Sequence, residues 1–426
     1  MLPCIVTTAA GTTGIPPVQA GDRVTVQDIE GRIGVRVSAG ADGISSVEIV
    51  STRRSGAGRF LEGRPVAEAL QALALLFSLC GTAQMLAGTL ACEQASGIAV
   101  TAAERARRAA LVAAESSQEH AARLLLDWPV LFLDSAPQIA ELAAIRQAVS
   151  ALREALGGGI GIGAAAQDSS VPAARAALAR LRTALAHGVY GMAPGDWARI
   201  RDGEALRAWA EHTLTTTART LAAVAGGGLA ELGRSAFALL PPFSPAALAT
   251  VLDGDDAEQF CAAPLWNGMP CETGPLARQF RRAPVAGLVQ HGGNGILARL
   301  AARLTELALL PRQIEQHLRV MERGGVPRAS GRGNGAHGHS GTGIVETARG
   351  RLVHRVHLRD GIVRRYRILA PTEWNFHPHG PLARSVQSLP AGNADRLRRH
   401  VGMLVVALDP CVAYEVIIGA AGTEGA

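Results

Sequence analysis

Six cysteines are the residues of this sequence best suited to metal or redox chemistry, and they form no C-x-x-C pair. They are Cys4, Cys80, Cys92, Cys261, Cys271 and Cys411. Three of them, at 92, 261 and 271, stand in apolar or mixed surroundings, where a free cysteine usually behaves as a small core residue. Cys80 and Cys411 differ only in their neighbours, a Leu-Cys-Gly string and an Asp-Pro-Cys string. Taken alone, each of these two is also more often a core thiol than a metal ligand.

Histidine pairs and a glycine run are the other candidates for chemistry. His337 and His339 lie in a glycine-rich stretch and could bind a metal, although a solvated loop is the commoner interpretation. His377 and His379 are ambiguous in the same way. The run GGGIGIG at 157–163 resembles a dinucleotide fingerprint, but that fingerprint follows a strand and opens a helix. A helical pattern precedes this run, which favours a glycine loop at a helix C-terminus.

Helical patterns surround Cys80 and fill most of the chain. From residue 65 to about residue 127 the pattern is helical, and Cys80 falls inside this stretch. Further helices are predicted at 136–156, 172–187, 196–224, 296–324 and about 394–400. Residues 70–91 are long enough to cross a membrane. Because they include Gln71, Ser78, Thr82 and Gln84, a buried core helix is the better interpretation.

Two β-hairpins are predicted, one upstream of each of the two cysteines. In the first, Ile33, Val35 and Val37 point one way, an Ala-Asp-Gly turn follows, and residues 44–50 return. In the second, apolar positions alternate before an Asp-Gly turn, and the chain returns over residues 362–370.

The fold class that follows is mainly α with small β-hairpins (α+β), in a single domain over residues 1–426. Its expected parts are an N-terminal hairpin at 22–52, a helical core at 65–324, a flexible Gly/His loop at 325–343, and a C-terminal hairpin with the second cysteine segment at 344–418.

Composition narrows the classes of function. The chain has 426 residues, a net charge of +6 and a pI near 9.4, but all its basic residues other than histidine are arginines, dispersed among acidic residues. This argues against nucleic-acid binding, which usually needs a concentrated basic surface. The first residues lack a basic region followed by an apolar one, so no signal peptide is expected. We therefore expect a cytoplasmic protein with reduced thiols and no membrane insertion.

Six short motifs, in order, resemble those of the nickel–iron hydrogenase large subunit. They are DIEG at 28–31 with the strand that follows, GRP at 63–65 upstream of LCG at 79–81, ETGPLAR at 272–278, ETARG at 346–350, PTEWN at 371–375 and DPC at 409–411. The resemblance covers roughly residues 22–94 and 264–418. It implies a large-subunit-like fold.

The departures from that family concern its metal ligands. The family holds nickel and iron with two C-x-x-C pairs, but here Phe77 replaces the first cysteine of one pair and Tyr414 the second of the other. The histidine after C-G-x-x is Gln84, and the closing histidine that marks the processing site is Ile417. Nickel in such a site needs four thiolates. The resemblance therefore implies no nickel, no hydrogenase activity and an unprocessed C-terminus.

This pattern of loss resembles the hydrogenase accessory proteins of the HupK/HoxV type. The resemblance implies a scaffold in which Cys80 and Cys411, close together in the fold, hold an Fe(CN)₂(CO) unit. Arg349 is at the family's position for offsetting the charge of the cyanides, and Glu30 is at its proton-transfer position. The implied partners are the hydrogenase large subunit and upstream maturation proteins of the HypC/HypD type. A structural subunit of a redox complex with a vestigial metal site and a divergent metal-dependent oxidoreductase remain as alternatives.

Overall fold

The computed structural model describes residues 31–40, 43–52, 57–77, 79–163, 169–236, 238–324, 339–390 and 392–420. Its strands are β1 Arg32–Gly40, β2 Gly43–Ser51, β3 His339–Thr347, β4 Gly350–Arg359, β5 Ile362–Leu369 and β6 Ala413–Ala420. Its helices are α1 Val66–Leu76, α2 Gly81–Ser96, α3 Ala102–Ala122, α4 Trp128–Leu133, α5 Ile139–Ala155, α6 Val171–Leu185, α7 Pro194–Trp197, α8 Gly203–His212, α9 Thr216–Gly226, α10 Pro245–Asp253, α11 Ala257–Ala262, α12 Pro275–Gln279, α13 Val285–Gly292, α14 Ile296–Glu322, α15 Pro371–Asn375, α16 Pro381–Gln387 and α17 Ala394–Leu408. A 3₁₀ turn at Ala57–Leu61 and π-turns at Arg123–Asp127 and Ala186–Tyr190 complete the described elements.

The first sheet, with strand order β2-β1-β6, joins the two ends of the described chain. β1 is antiparallel to β2 and parallel to β6, where Ile33 lies opposite Tyr414. The predicted hairpin is thus confirmed for β1 and β2, and the alternation buries Ile33, Val35 and Val37. Residues 22–30 and the turn at 41–42 lie outside the described residues. β6 was not predicted, and its pairing with β1 carries the segment after the second cysteine into the core.

The second sheet has the order β3-β4-β5 and is antiparallel throughout. The second predicted hairpin is confirmed as β4 and β5, but residues 339–343, predicted as the end of a loop, are a strand. The reason is packing: a Cβ on Gly341 or Gly343 would overlap the carbonyl oxygens of Ala91 and Ala87 in α2. Glycine therefore lets β3 lie directly on the helix backbone. Residues 325–338 of the predicted loop lie outside the described residues.

The helical stretch predicted at 65–127 divides into α1, α2 and α3. The break between the first two occurs because the backbones of Phe77 (φ −125°, ψ 79°) and Cys80 (φ −123°, ψ 34°) leave the helical region. No helix among the described residues has the length and apolarity to cross a membrane. The helix predicted at 196–224 is likewise three helices, since Asp202 and Thr215 accept N-cap hydrogen bonds and start new ones.

The glycine run at 157–163 follows α5 as a loop, as predicted. Arg107 donates hydrogen bonds to the carbonyl oxygens of Leu156 (2.9 Å) and Gly159 (2.8 Å), and Arg108 donates to that of Gly161 (2.7 Å). The loop thus turns carbonyl oxygens toward buried cations. A phosphate site needs the opposite polarity, with backbone N–H groups facing the ligand.

Two apolar clusters meet near the cysteines. The larger is formed by α3, α5, α6, α14, α17 and the inner face of β1, and Cys411 packs against its edge. The other lies between α1, α2 and the second sheet, and Cys80 packs against its edge. The two sequence-distant cysteines therefore lie on the border between the two parts of the core.

Candidate metal centre

Cys80 is held at the N-terminal boundary of α2 by a partly buried carboxylate. Cys80 makes no N-cap hydrogen bond with its side chain. Instead, the Glu115 carboxylate on α3 accepts from the backbone N–H groups of Thr82 (2.7 Å) and Ala83 (3.0 Å). Burial raises the pKa of Glu115, although these hydrogen bonds oppose the shift. A carboxylate at a helix N-terminus stabilises the helix, so Glu115 fixes where α2, and with it Cys80, begins.

Cys411 is placed by a sharp turn after α17. The helix ends at Asp409, whose backbone is left-handed (φ 59°), and the chain then turns through Pro410 into β6. The Cys411 Sγ lies 3.1 Å from the Thr372 Oγ1 at the start of α15. The PTEWN motif therefore contacts the DPC motif directly.

The structure brings Cys80 and Cys411 together, and both are partly buried. Burial raises the pKa of the Cys80 thiol, and the nearby charge of a Cys411 thiolate raises it further. The guanidinium of Arg349 opposes this shift and favours a thiolate. A metal centre bound between the two sulfurs would add its positive charge to that of Arg349. Both cysteines would then be strongly favoured as thiolates.

Arg349 is buried beside the two cysteines and does not use all of its N–H donors among the described residues. Its Nη2 donates to the Glu119 Oε2 at 2.8 Å, and its Nε lies 3.4 Å from the Asp409 Oδ1. Burial disfavours its charge, but Asp409 and Glu119 outweigh burial and raise the pKa of Arg349. Its Nη1 has no hydrogen-bond partner among the described residues. A buried guanidinium N–H without a partner is costly, which marks this atom as a candidate ligand contact.

The ETGPLAR and ETARG motifs position Arg349 by packing glycine against backbone. A Cβ on Gly274 (φ +116°) would lie 2.9 Å from the Arg349 carbonyl oxygen, and one on Gly350 (φ +138°) would meet Thr273. The Asn375 side chain then joins three motifs, since its Oδ1 accepts from the Thr273 N–H (2.9 Å) and its Nδ2 lies 3.4 Å from the carbonyl oxygens of Arg349 and Leu408. Residues of the motifs recognised in the sequence thus contact one another and hold the backbone of Arg349 in place.

Buried ion pairs extend from Asp409 through the interior. The Asp409 carboxylate contacts the Arg123 Nε (2.6 Å) and the Arg303 Nη1 (2.8 Å). Arg303 in turn contacts His120, whose Nε2 lies 3.0 Å from the Glu306 Oε1. Glu306 also accepts from Arg278 of the ETGPLAR motif, and Arg278 contacts Glu346 near the surface. This network fixes the relative positions of α3, α14 and the end of α17.

The remaining predicted site residues have the following places. Phe77 and Tyr414, which replace two family cysteines, are buried apolar residues of the core. Glu30 and His337 lie outside the described residues, as does Cys4. The backbone of His339 belongs to β3. His377 is buried, and its Nδ1 accepts from the His379 backbone N–H at 3.0 Å.

Sequence reasoning did not identify Glu115, Glu119 or His354 as parts of the site. The two glutamates are four residues apart on α3, so both face the same side of an otherwise alanine-rich helix. His354 is fully buried on β4, at a position of the strand where alternation predicts an apolar side chain. The sequence did offer one signal for these residues: a charged or polar side chain stands where the pattern of its helix or strand predicts a buried position.

The donor set bears on which metal centre fits. Among the described residues, no group of three or more histidine, cysteine, aspartate or glutamate side chains could hold a metal ion. Two thiols alone do not complete the coordination of a free metal ion, so a centre held here would have to bring its other ligands. The unpartnered Arg349 Nη1 offers a donor to such a ligand.

Comparisons with known proteins identify the family of this chain. The family model of nickel-dependent hydrogenases matches residues 239–416. The chain is 32% identical to the hydrogenase expression/formation protein HupK of Azotobacter vinelandii, over 84% of this chain and 90% of that one. It is 33% identical to the hydrogenase expression/formation protein HoxV of Cupriavidus necator, over 86% of this chain and 92% of that one. The chain belongs to the HupK/HoxV family of hydrogenase expression/formation proteins.

Solved structures show the fold of this HupK/HoxV family member. The reduced Ni-Fe-Se hydrogenase from D. vulgaris Hildenborough matches it with a TM-score of 0.65 and 17% identity, covering 91% of this chain and 97% of that one. The Ni-Fe-Se hydrogenase from Desulfomicrobium baculatum matches with a TM-score of 0.61 and 16% identity, covering 88% and 95%. The predicted α+β large-subunit-like fold is therefore confirmed.

Proposed function

We propose that this protein is a non-catalytic scaffold for hydrogenase maturation that holds an Fe(CN)₂(CO) unit between Cys80 and Cys411. Its relatives are named hydrogenase expression/formation proteins, which supports a role in making a hydrogenase. The observation that carries the proposal is that the two thiols lie near enough to interact electrostatically with each other and with Arg349, whose buried Nη1 lacks a partner among the described residues. The iron unit is cargo here, received and passed on.

Charge supports this choice of cargo. Ferrous iron with two cyanides and two thiolates carries a net double negative charge, which is costly to bury without compensation. Arg349 already pairs with Glu119 and Asp409, so it does not offer the iron unit a full countercharge. Its main contribution is a hydrogen bond from Nη1 to a cyanide nitrogen. Partial compensation suits a site that must release its cargo, since a fully neutralised anion would be held more tightly.

The rest of the proposal concerns the partners. The iron unit would come from upstream maturation proteins of the HypC/HypD type and go to the hydrogenase large subunit, whose fold this chain shares. That shared fold would let the scaffold present the unit in a similar geometry. The proposed location is the cytoplasm, where thiols stay reduced and free to bind a metal.

The test is infrared spectroscopy of protein purified anaerobically from a host that has the upstream maturation proteins. Cyanide and carbonyl stretches absorb where protein does not, so they report the unit directly. Wild-type protein should show the bands together with iron, and Cys80→Ser and Cys411→Ser should each lose both. Serine keeps the size of the side chain but is a much weaker ligand for this metal.

Matched controls exist in the same chain. Cys92, Cys261 and Cys271 are buried in apolar clusters away from the pair, so Cys92→Ser, Cys261→Ser and Cys271→Ser should keep the bands. Circular dichroism should show that all five variants fold. If either Cys80→Ser or Cys411→Ser still shows the cyanide and carbonyl bands, the shared two-cysteine site is wrong, and a structural subunit with a vestigial site becomes the better interpretation.

A further inference from the structure

A buried chain of three side chains leads to the sulfur of Cys80. The Gln84 Nε2 lies 3.6 Å from the Cys80 Sγ, a distance compatible with a hydrogen bond to the large sulfur atom. The Gln84 Oε1 lies 2.8 Å from the His354 Nε2, and the His354 Nδ1 lies 2.8 Å from the Tyr366 hydroxyl. Gln84, His354 and Tyr366 are all almost completely buried. They come from α2, β4 and β5, so the chain crosses the interface between the helix and the second sheet.

The atoms of this chain fix its direction. An amide oxygen can only accept, so the His354 Nε2 must carry the proton that it shares with Gln84. The His354 Nδ1 is then a bare nitrogen that accepts from the Tyr366 hydroxyl. The Gln84 NH₂ group is left to donate, and it faces the Cys80 sulfur. Burial lowers the pKa of His354 to about 3, which keeps the ring neutral and preserves this single arrangement of donors and acceptors.

We propose that His354 is a positioning residue that, with Tyr366, keeps the Gln84 amide N–H directed at the Cys80 sulfur, where it donates to the thiolate that holds the iron unit. A hydrogen bond to a metal-bound thiolate lowers its electron donation to the metal. This series of hydrogen-bonded side chains thus tunes how tightly Cys80 holds the iron unit, without adding a ligand. This inference rests on the proposed function, but its geometry can be tested without iron.

The first experiment uses the iron-free full-length protein with ¹⁵N-labelled histidine. The His354 ring signals, assigned by their absence in His354→Gln, should show a protonated Nε2 and a bare Nδ1, with slow exchange of the ring proton. In Gln84→Met the ring proton loses its acceptor and should exchange faster. A protonated Nδ1 in the wild type would overturn the inference, because the Gln84 amide would then be reversed, with its oxygen toward Cys80.

The second experiment compares the infrared bands of iron-loaded variants. Gln84→Met and His354→Leu should shift the carbonyl band to lower frequency at unchanged iron content, since Cys80 then donates more charge to iron. His354→Gln supplies another N–H donor to Gln84 and should restore the wild-type band. His357→Gln is the matched control: it lies on the same strand but contacts Asp253 at 2.6 Å, away from the site, and should change nothing.

Outcomes of the two experiments separate the two proposals. Unshifted bands in fully loaded Gln84→Met would refute the tuning role while leaving the scaffold proposal intact. A wild-type protein that never shows the bands would refute the scaffold, and the nitrogen signals of the iron-free protein would still decide the direction of the chain. Loss of loading in His354→Leu and His354→Gln alike would show a merely structural role and overturn the inference.

Discussion

Asp409→Asn is the substitution that should most sharply test whether buried charge holds the second cysteine segment in place. The Asp409 side chain is completely buried and faces three guanidinium groups. Asparagine has nearly the same shape and tolerates the left-handed backbone of this position (φ 59°), so the change removes the charge without opening a cavity. Its cost therefore measures the loss of the negative charge together with the loss of one acceptor, because the amide NH₂ replaces an oxygen that accepts from an arginine.

The expected loss of stability follows from the carboxylate partners that each arginine keeps in the variant. Arg123 still has Asp127 at 2.8 Å, and Arg349 still has Glu119 at 2.8 Å. Among the described residues, Arg303 keeps His120 at 3.2 Å and a backbone carbonyl oxygen at 3.3 Å, and so becomes a buried charge with no carboxylate in contact. Removing one partner of a buried ion pair costs about 3–5 kcal/mol. We expect Asp409→Asn to lower the free energy of unfolding by this amount.

Urea unfolding followed by tryptophan fluorescence is the assay, and its pH dependence adds a second check. Burial alone would raise the pKa of Asp409, but Arg349, Arg123 and Arg303 outweigh burial and lower it. A carboxylate with a lowered folded-state pKa stabilises the fold fully above its unfolded pKa of about 3.9 and loses that contribution as the pH falls below it. The difference between wild type and Asp409→Asn should thus be constant from pH 7 to about 4 and shrink below.

The control is Asp134→Asn, which matches the test variant closely. Asp134 also ends a helix in a left-handed conformation (φ 49°) and also contacts an arginine, Arg399, at 2.8 Å, but its side chain is 73% exposed. An exposed ion pair contributes about 0–1 kcal/mol, so this variant should be nearly as stable as the wild type. Equal losses in the two variants would refute the reasoning, because burial would then not explain the effect.

Two further predictions concern packing and metal content. Gly343→Ala should lower the midpoint of thermal unfolding, by the equivalent of about 1–3 kcal/mol, since the new methyl group would overlap the Ala87 carbonyl oxygen. Gly419→Ala, with open space around its Cβ position, should leave the midpoint unchanged. Similar midpoints for the two variants would contradict the packing argument. The purified protein should contain no stoichiometric nickel and should not reduce dyes with H₂, because Phe77 and Tyr414 cannot supply thiolates; about one nickel per chain by elemental analysis would refute this.

Local patterns predicted those parts of the fold whose causes are local. The hairpins β1–β2 and β4–β5 follow from alternation and from short turn sequences, and both lie where the sequence predicts them. The helix break before Cys80 was missed, because the residues there have ordinary helix propensity and the carboxylate that sets the start of α2 comes from Glu115, more than thirty residues away. Helix ends set by distant side chains leave no trace in the local pattern.

Long-range pairing explains the other misses. β6 pairs with β1, although almost the whole described sequence lies between the two strands. β3 packs on α2 through two glycines, which in the local sequence are typical of a loop. The closeness of Cys80 and Cys411 could be expected only from the family resemblance, since no spacing rule connects residues so far apart. The buried Glu119 and His354 and the partly buried Glu115 were visible in the sequence, but their partners were not.

The two cysteines are positioned by groups that are not metal ligands. Glu115 fixes Cys80 through the N-terminus of α2, and Asp409 fixes the turn before Cys411 through three arginines. In a site shaped by its metal, removing the metal lets the ligands move apart, and release of the metal then costs the folding energy that binding supplied. A site shaped by buried ion pairs keeps its geometry when empty, so binding and release need not reorganise the protein. This is the property that the proposed role as carrier of a preassembled iron unit requires.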